Sequence, residues 1–302
     1  MQQIIISIIV ATRNRKENIS RFIDNLVSIN PGPRVELIVV DNGSSDSTPA
    51  YLQSLSIPVS LQTLEQVVPG KSRSLNKGIK HANGDILLFV DDDVIFEQNY
   101  FSSLIKTVEL YPGVNILGGR ISIDASRVPN WIKESYNLRT LLTSEQELGN
   151  EIFLYEDGEY PVGPNIAVRR AVLKGLEAPW PEMIGPGTNV PVGDEIGFLR
   201  KISKACDKDR LYSPECAVRH IPETYYSGLR DVARRCYQAG LAASLLRLPA
   251  QRKEDGSSTL IKIVLSRLRS ARSVREFVCI VIRYAGYLYG KHLYGKPQQA
   301  LK

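Results

Sequence analysis

The chain has 302 residues and an apolar share of 43%, enough to bury a large core in one domain or a domain with an appendage, and its make-up excludes disorder, collagen and a disulfide scaffold. The net charge of +6 is unevenly spread: residues 1–200 carry 18 Lys and Arg against 24 Asp and Glu, whereas residues 201–302 carry 20 against 8. An acidic front suits a site that holds a cation, and a basic tail suits an anionic partner such as a membrane surface or a pyrophosphate.

The opening apolar run stops at Arg13 and lacks a basic leader or a small-residue cleavage site, so Ile4 to Ala11 reads as a strand buried on both faces rather than a signal peptide. Ile19, Phe22, Ile23, Leu26 and Ile29 recur at helical spacing across residues 16–29. Pro31, Gly32 and Pro33 break the chain before a second buried strand, Val35 to Val40. Asn42 to Thr48 joins turn chemistry to helix-start chemistry ahead of a short helix at 48–55. Val59 to Gln62 fits a third strand, Gly70 to Ala82 a helix, and Ile86 to Val90 a fourth strand that ends in Asp91, Asp92 and Asp93.

From about 115 to 170 the pattern shifts to short strands and loops. Residues 195–205 read as helix, and the chain is helical again after Ile221, with a polar break at Arg252 to Ser258. Residues 259–292 read as basic amphipathic helices: Lys262, Arg267, Arg269, Arg272, Arg275, Arg283 and Lys291 face only Glu276 as an acid. They suit either an anionic membrane surface or a helix pair packed on the catalytic part. The longest apolar run there, Phe277 to Ile282, stops at Arg283, short of the ~20 residues a spanning helix needs, so no transmembrane segment is expected. Cys206, Cys216, Cys236 and Cys279 form no C-x-x-C pair and read as buried reduced thiols.

Strands alternating with helices predict a parallel α/β sheet, whose ligands lie beyond the carboxyl ends of the strands. The polar residues at those ends are Thr12 to Asn14, Asp41 to Ser44 and Asp91 to Asp93. Three adjacent carboxylates repel one another, and a hard divalent cation is their natural counter-charge. Magnesium completes such a shell with phosphate oxygens, which points to a nucleoside diphosphate. Asp41 fits either a hydrogen bond to a base or an Asx turn into the next helix. Gly193-Asp194-Glu195 opens a helix. Its carboxylates fit a dipole partner or, facing a metal–phosphate site, a general base. His220 is a third candidate metal ligand, and imidazole suits manganese better than magnesium. No P-loop, dinucleotide fingerprint, nucleophile elbow or nucleic-acid motif appears.

The stretches IIVATRNRKENI, VELIVVDNGSSDST, GKSRSLNKGIKHANGDILLFVDDDV, VGPNIAVRRAVL, VGDEIGFLRKI and LYSPECAVRHIPE together resemble glycosyltransferase family 2, in that family's order and over roughly residues 4–240. The resemblance implies a GT-A fold, a Rossmann-like, mostly parallel mixed sheet flanked by helices. It would occupy residues 1–240, with a nucleotide-sugar half to about 115 and an acceptor half from 116, followed by a helical extension at 241–302. It also implies that Thr12, Arg13 and Asp41 hold the base, with Asn14 and Asn42 beside them. Lys71, Arg73 and Asn76 would lie near the donor phosphates or sugar. Asp91 and Asp93 would form the D-x-D pair, Asp91 and Asp92 would also bind the nucleotide sugar, and His220 would complete the metal site, for Mn2+ or Mg2+. Gly163, Asn165 and Trp180 would sit beside donor sugar and acceptor. The family usually reads Glu-Asp where this chain reads Asp194-Glu195, so the base falls on Glu195 with Asp194 as the alternative.

The implied activity is inverting, non-processive transfer from a UDP- or dTDP-sugar to a glycan or lipid-linked acceptor, since the processive Q-x-x-R-W motif is absent. The expected place is the cytoplasm, at the inner face of the membrane, with no nucleic-acid partner. A sugar-phosphate nucleotidyltransferase and a non-catalytic nucleotide-sugar-binding protein are the rival readings.

Overall fold

The computed structural model describes residues 5–156, 158–203, 210–222, 228–246, 271 and 273–294. Its strands are β1 (Ile6–Thr12), β2 (Val35–Asp41), β3 (Ser60–Glu65), β4 (Ile86–Phe89), β5 (Val94–Phe96), β6 (Ile116–Ile123), β7 (Phe153–Leu154), β8 (Ile166–Arg169) and β9 (Arg210–His220). Its helices are α1 (Lys16–Ser28), α2 (Thr48–Ser54), α3 (Lys71–His81), α4 (Tyr100–Leu110), α5 (Asn130–Lys133), α6 (Tyr136–Thr143), α7 (Asp194–Ile202), α8 (Leu229–Leu245) and α9 (Val274–Tyr294).

One sheet runs β3-β2-β1-β4-β8-β6-β9-β5, with β7 on β9. The first four strands are parallel. β8 then runs antiparallel to both β4 and β6, and β5 antiparallel to β9. Ile6, Ile8 and Val10 of β1 pack with Ile19, Phe22, Ile23 and Leu26 of α1 and with Tyr100 and Leu104 of α4. Ile9 packs on the other face with Leu75 of α3, Trp180, and Phe198 and Leu199 of α7. Helices on both faces explain why these strands are apolar at most positions, with buried Ser7 donating to buried Glu36 at 2.6 Å as the paired exception. The chain places β2 on one side of β1 and β4 on the other. This reversal opens a crevice at the carboxyl ends of β1 and β4, the place where such sheets bind ligands.

Register carries the far end of the sheet to that crevice. Val94 pairs with His220, so Asp93, one residue earlier, lies beside the end of β9. β9 is held by its contact with β6, where the register shifts between Gly119 and Ile121. A Cβ on Gly119 would lie 1.8 Å from the Cys216 carbonyl oxygen and 2.4 Å from Asn165 Nδ2, so only glycine fits.

The stretch 115–170 holds more helix than its pattern predicts, and α4 was not anticipated. Position 240, the expected domain boundary, falls inside α8. Helix α9 packs along α8, with Gly240 and Gly286 at the closest approach, so the described part of the basic segment makes a protein contact. Residues 259–270 and Arg272 lie outside the described residues. On the outer side of α9, Val274, Phe277, Val281, Leu288 and Leu293 remain exposed. No described helix is long and apolar enough to cross a membrane. Cys216, Cys236 and Cys279 are free and buried, and Cys206 lies outside the described residues.

Helix α8 supports two parts of the crevice. Val232 and Cys236 pack with Leu138 and Leu142 of α6, while Ala239 and Ala242 pack with Ile184, Val190 and Val192 of the loop before α7. Because β9 depends on the Gly119 contact, Gly119→Ala should destabilise the protein by about 3 kcal/mol, the upper part of the usual overpacking range. Urea unfolding checks this, and an unchanged midpoint would contradict it.

Candidate active site

Asp91, Asp92 and Asp93 follow β4 after Val90, and each carboxylate meets a cation or a hydroxyl. Asp91 pairs with Lys71, the first residue of α3. Asp92 accepts from Thr12 Oγ1 at 2.6 Å and from Arg15 Nη1 at 2.6 Å. Asp93 Oδ2 accepts from Arg15 Nη2 at 2.7 Å, and its Oδ1 lies 3.1 Å from His220 Nε2. Burial pushes Asp92 up to about 7, against the pull of Arg15. Burial also opposes ionisation of Asp93, but His220 and Arg15 overcome it and hold that carboxyl well below the usual range. Lys71 is likewise buried, yet Asp91 and Asp194 together raise its pKa.

His220 shows what the site can hold. Its Nδ1 lies 2.7 Å from the Thr143 carbonyl oxygen at the end of α6 and must donate a proton there. In the neutral ring, Nε2 then presents a lone pair to Asp93 Oδ1, which meets no other donor among the described residues. Two buried lone pairs facing each other require a positive charge, either a proton on the ring or a metal ion between them. A ligating histidine commonly donates its second nitrogen to a carbonyl in this way. Asp91, Asp93 and His220 each bring one donor atom within 4.8 Å of the others, a carboxylate–imidazole set that fits Mn2+. Burial lowers the pKa of His220, but its hydrogen bond to Asp93 outweighs this and raises it.

A second acidic pair approaches from α7. Asp194 is buried, and burial followed by the neighbouring Glu195 pushes it up to about 8. Gly185 lies over it: a Cβ there would stand 2.6 Å from Asp194 Cγ, and the backbone has φ 101°. The same loop covers the start of α3, since Lys71 N donates to the Pro186 carbonyl at 3.3 Å and Ser72 Oγ to that of Ile184 at 3.3 Å. Lys71 therefore feels the charge of both acidic groups, Asp91 on one side and Asp194 and Glu195 on the other.

The other expected residues divide into two sets. Arg13 and Asn14 are exposed beside Asp41 and Asn42, with Thr12 opposite Asp41 in the β1–β2 register. Asp41 Oδ1 accepts from Ser44 N, three residues on, at 3.2 Å and so braces the turn ahead of α2. Asn42 Oδ1 accepts from Gly70 N at 2.7 Å and ties β2 to the start of α3. Arg73 Nε reaches Glu182 at 3.2 Å, and Gly163 is half-buried with open space beside it. Three residues instead lie behind the crevice. Asn165 is fully buried, accepting from Tyr100 Oη at 2.6 Å and donating to the Cys216 carbonyl at 2.9 Å. The Trp180 ring stacks on Phe198 at 4.3 Å. Asn76 exchanges hydrogen bonds with the Trp180 backbone and reaches Glu182 Oε1 at 3.1 Å.

Sequence reasoning missed Arg15, Thr143, Glu182 and Gly185. Arg15 stands two residues from Arg13 in the same motif, and its position there was the available signal. The other three act through contacts that local sequence does not encode.

Residues 7–176 match the family model described as glycosyl transferase family 2. The chain is 27% identical over 175 residues to a dolichol-phosphate mannosyltransferase of Pyrococcus furiosus, covering 57% of this chain and 48% of that protein. It is 25% identical over 253 residues to the poly(ribitol-phosphate) β-N-acetylglucosaminyltransferase TarS of Staphylococcus aureus, covering 78% of this chain and 41% of that one. The chain thus spans less than half the length of these curated relatives. Among solved structures, the fold resembles the mannosyltransferase PcManGT from Pyrobaculum calidifontis in complex with GDP-Man and Mn2+. The TM-score is 0.60 at 17% identity, covering 98% of this chain and 89% of that one. It also resembles S. aureus TarS 1–349 in complex with UDP-GlcNAc, with a TM-score of 0.53 at 14% identity, covering 98% and 93%. These likenesses bear out the GT-A fold.

The raised pKa of His220 sets a pH dependence. In the metal-free protein its bond to Asp93 contributes stability that is complete below the unfolded value near 6.5 and lost as pH rises through the higher folded value. A metal ion held by Asp91, Asp93 and His220 would have to displace that proton. Mn2+ affinity should therefore rise by about tenfold per pH unit up to the folded value of His220 and then level off. Calorimetric titration of Mn2+ at several pH values measures this, and a flat profile would contradict it.

Proposed function

The chain belongs to glycosyltransferase family 2, and from that premise we propose that it transfers a sugar, with inversion and one unit at a time, from a nucleoside-diphosphate donor to an acceptor hydroxyl. The observation that carries the reading is the Asp91–Asp93–His220 group at the β1–β4 crevice, with His220 Nδ1 fixed on a carbonyl and Nε2 aimed at Asp93.

In this reading Arg13, Asn14, Asp41 and Asn42, with Thr12 behind them, hold the base at the ends of β1 and β2, and UDP- or dTDP-sugars are the favoured donors. Lys71 and Arg73 stand in the first turn of α3, where backbone N–H groups and the helix dipole favour a diphosphate. Asp91, Asp93 and His220 would hold a divalent ion, which would supply positive charge to the leaving diphosphate. Glu195 accepts the proton of the acceptor hydroxyl. The oxygen forms its bond to the anomeric carbon from the opposite face as the bond to the diphosphate breaks. Asp194, buried beside Glu195 with its pKa raised to about 8, stands as the alternative base. Gly163 lies toward the sugars, with Asn165, Trp180 and Asn76 supporting the walls.

Relatives named for dolichol phosphate and poly(ribitol-phosphate) support a lipid-linked or glycan acceptor. An anionic membrane surface fits the outer side of α9, where Val274, Phe277, Val281 and Leu288 are exposed beside exposed Arg275 and Lys291.

A panel of nucleotide sugars with Mn2+ tests the proposal. Glu195→Gln should lower turnover by about 10²–10⁴ while donor affinity stays unchanged, and NMR of the wild-type product should show the inverted anomer. Full activity of Glu195→Gln, or a retained anomer, would overturn the mechanism.

A further inference from the structure

Arg15 stands immediately before α1, and its guanidinium crosses to the end of β4. Nη1 lies 2.6 Å from Asp92 Oδ1 and Nη2 lies 2.7 Å from Asp93 Oδ2. A guanidinium fork ordinarily takes both oxygens of one carboxylate. Here it is divided between two adjacent ones. Asp93 belongs to the group that fits a metal; Asp92 does not.

This division gives the two acids different tasks. Asp92 is buried and held by Thr12 Oγ1 as well as by Arg15, so it anchors the guanidinium. Asp93 has both oxygens engaged, Oδ1 toward His220 and Oδ2 toward Arg15. A divalent cation joining Asp91, Asp93 and His220 thus meets a permanent positive charge on one of its own ligands. An arginine does not lose its proton in a protein, so this opposition cannot be relieved by deprotonation. It can be relieved by another anion. The Arg15 side chain is 27% exposed, whereas the Asp92 and Asp93 side chains are 2% and 8% exposed, so of the three Arg15 is the group a ligand in solution can reach.

We propose that Arg15 is a positioning residue that ties metal entry to donor entry: without donor it holds Asp93 Oδ2 and opposes a cation at Asp91–Asp93–His220, and the donor diphosphate draws it away while Asp92 keeps it anchored. The inference rests on the metal site proposed above. It explains why a third acid stands between the two ligands and why Thr12, at the end of β1, turns to Asp92. It also makes the two ligands mutually dependent, because whatever the diphosphate does for the metal the metal must do for the diphosphate.

The test is Mn2+ binding without nucleotide, followed by the loss of the free-ion electron paramagnetic resonance signal, in wild type, Arg15→Gln, Arg15→Lys and Asp93→Ala. Arg15→Gln should bind Mn2+ about tenfold more tightly than wild type, and the gain in Mn2+ affinity brought by added UDP should shrink. Arg15→Lys keeps a charge for folding but has no fork to span both acids, and should bind severalfold more tightly. If these variants bind Mn2+ no better than wild type, while Asp93→Ala abolishes binding, Arg15 is only a structural brace and the proposal falls alone. If no protein in the series binds Mn2+, with or without UDP, the metal assignment falls and this inference falls with it.

Discussion

Three consecutive carboxylates at the mouth of an apolar strand repel one another, and most of the crevice is arranged around compensating them. Lys71 arrives from the start of α3, Arg15 from the loop after β1, and His220 from the end of β9. Each depends on a different part of the fold. The parallel register of β1 and β4 sets Thr12 and Arg15 beside the acids. The antiparallel register of β5 and β9 brings His220 to Asp93. Thr143, on which His220 rests, closes α6, and α6 leans on α8. Helix α8 also backs the loop that covers Asp194, and α9 lies along α8. The C-terminal helices are therefore part of the support of the site, whatever else the outer side of α9 touches.

Much of the front half was legible because its signals are local. A strand with helices on both faces must be apolar at nearly every position, and Ile6 to Val10, Val35 to Val40 and Ile86 to Phe89 are. Polar residues that follow such strands must lie on the binding edge, which located Thr12, Asp41 and the Asp91–Asp93 run without any knowledge of side-chain contacts. Helix α4 carries the same kind of local signal in Tyr100, Phe101, Leu104, Ile105 and Val108, which recur at helical spacing.

The back half was less legible because its roles are set by long-range pairing. Asn165 looks like a site residue by position, yet it ties α4, β6 and β9 together from a fully buried place. Trp180 similarly spends its ring on Phe89 and Phe198. Nothing near Gly185 in sequence announces that Asp194 will sit beneath it, and nothing near Thr143 announces His220. Asp194 and Glu195 show the same limit: the loop before α7 buries Asp194 and leaves Glu195 half-buried, a difference the dipeptide does not display.

The central claim is that a divalent ion replaces the proton between His220 and Asp93 when the donor diphosphate is present. Anomalous diffraction at the manganese edge, from crystals grown with Mn2+ and UDP, tests it most directly. The account predicts one strong peak bonded to Asp91, Asp93 and His220 Nε2 and touching the diphosphate, with the Arg15 guanidinium on Asp92 and clear of Asp93. A diphosphate bound with no peak at that position, or with the peak held by other residues, would contradict it.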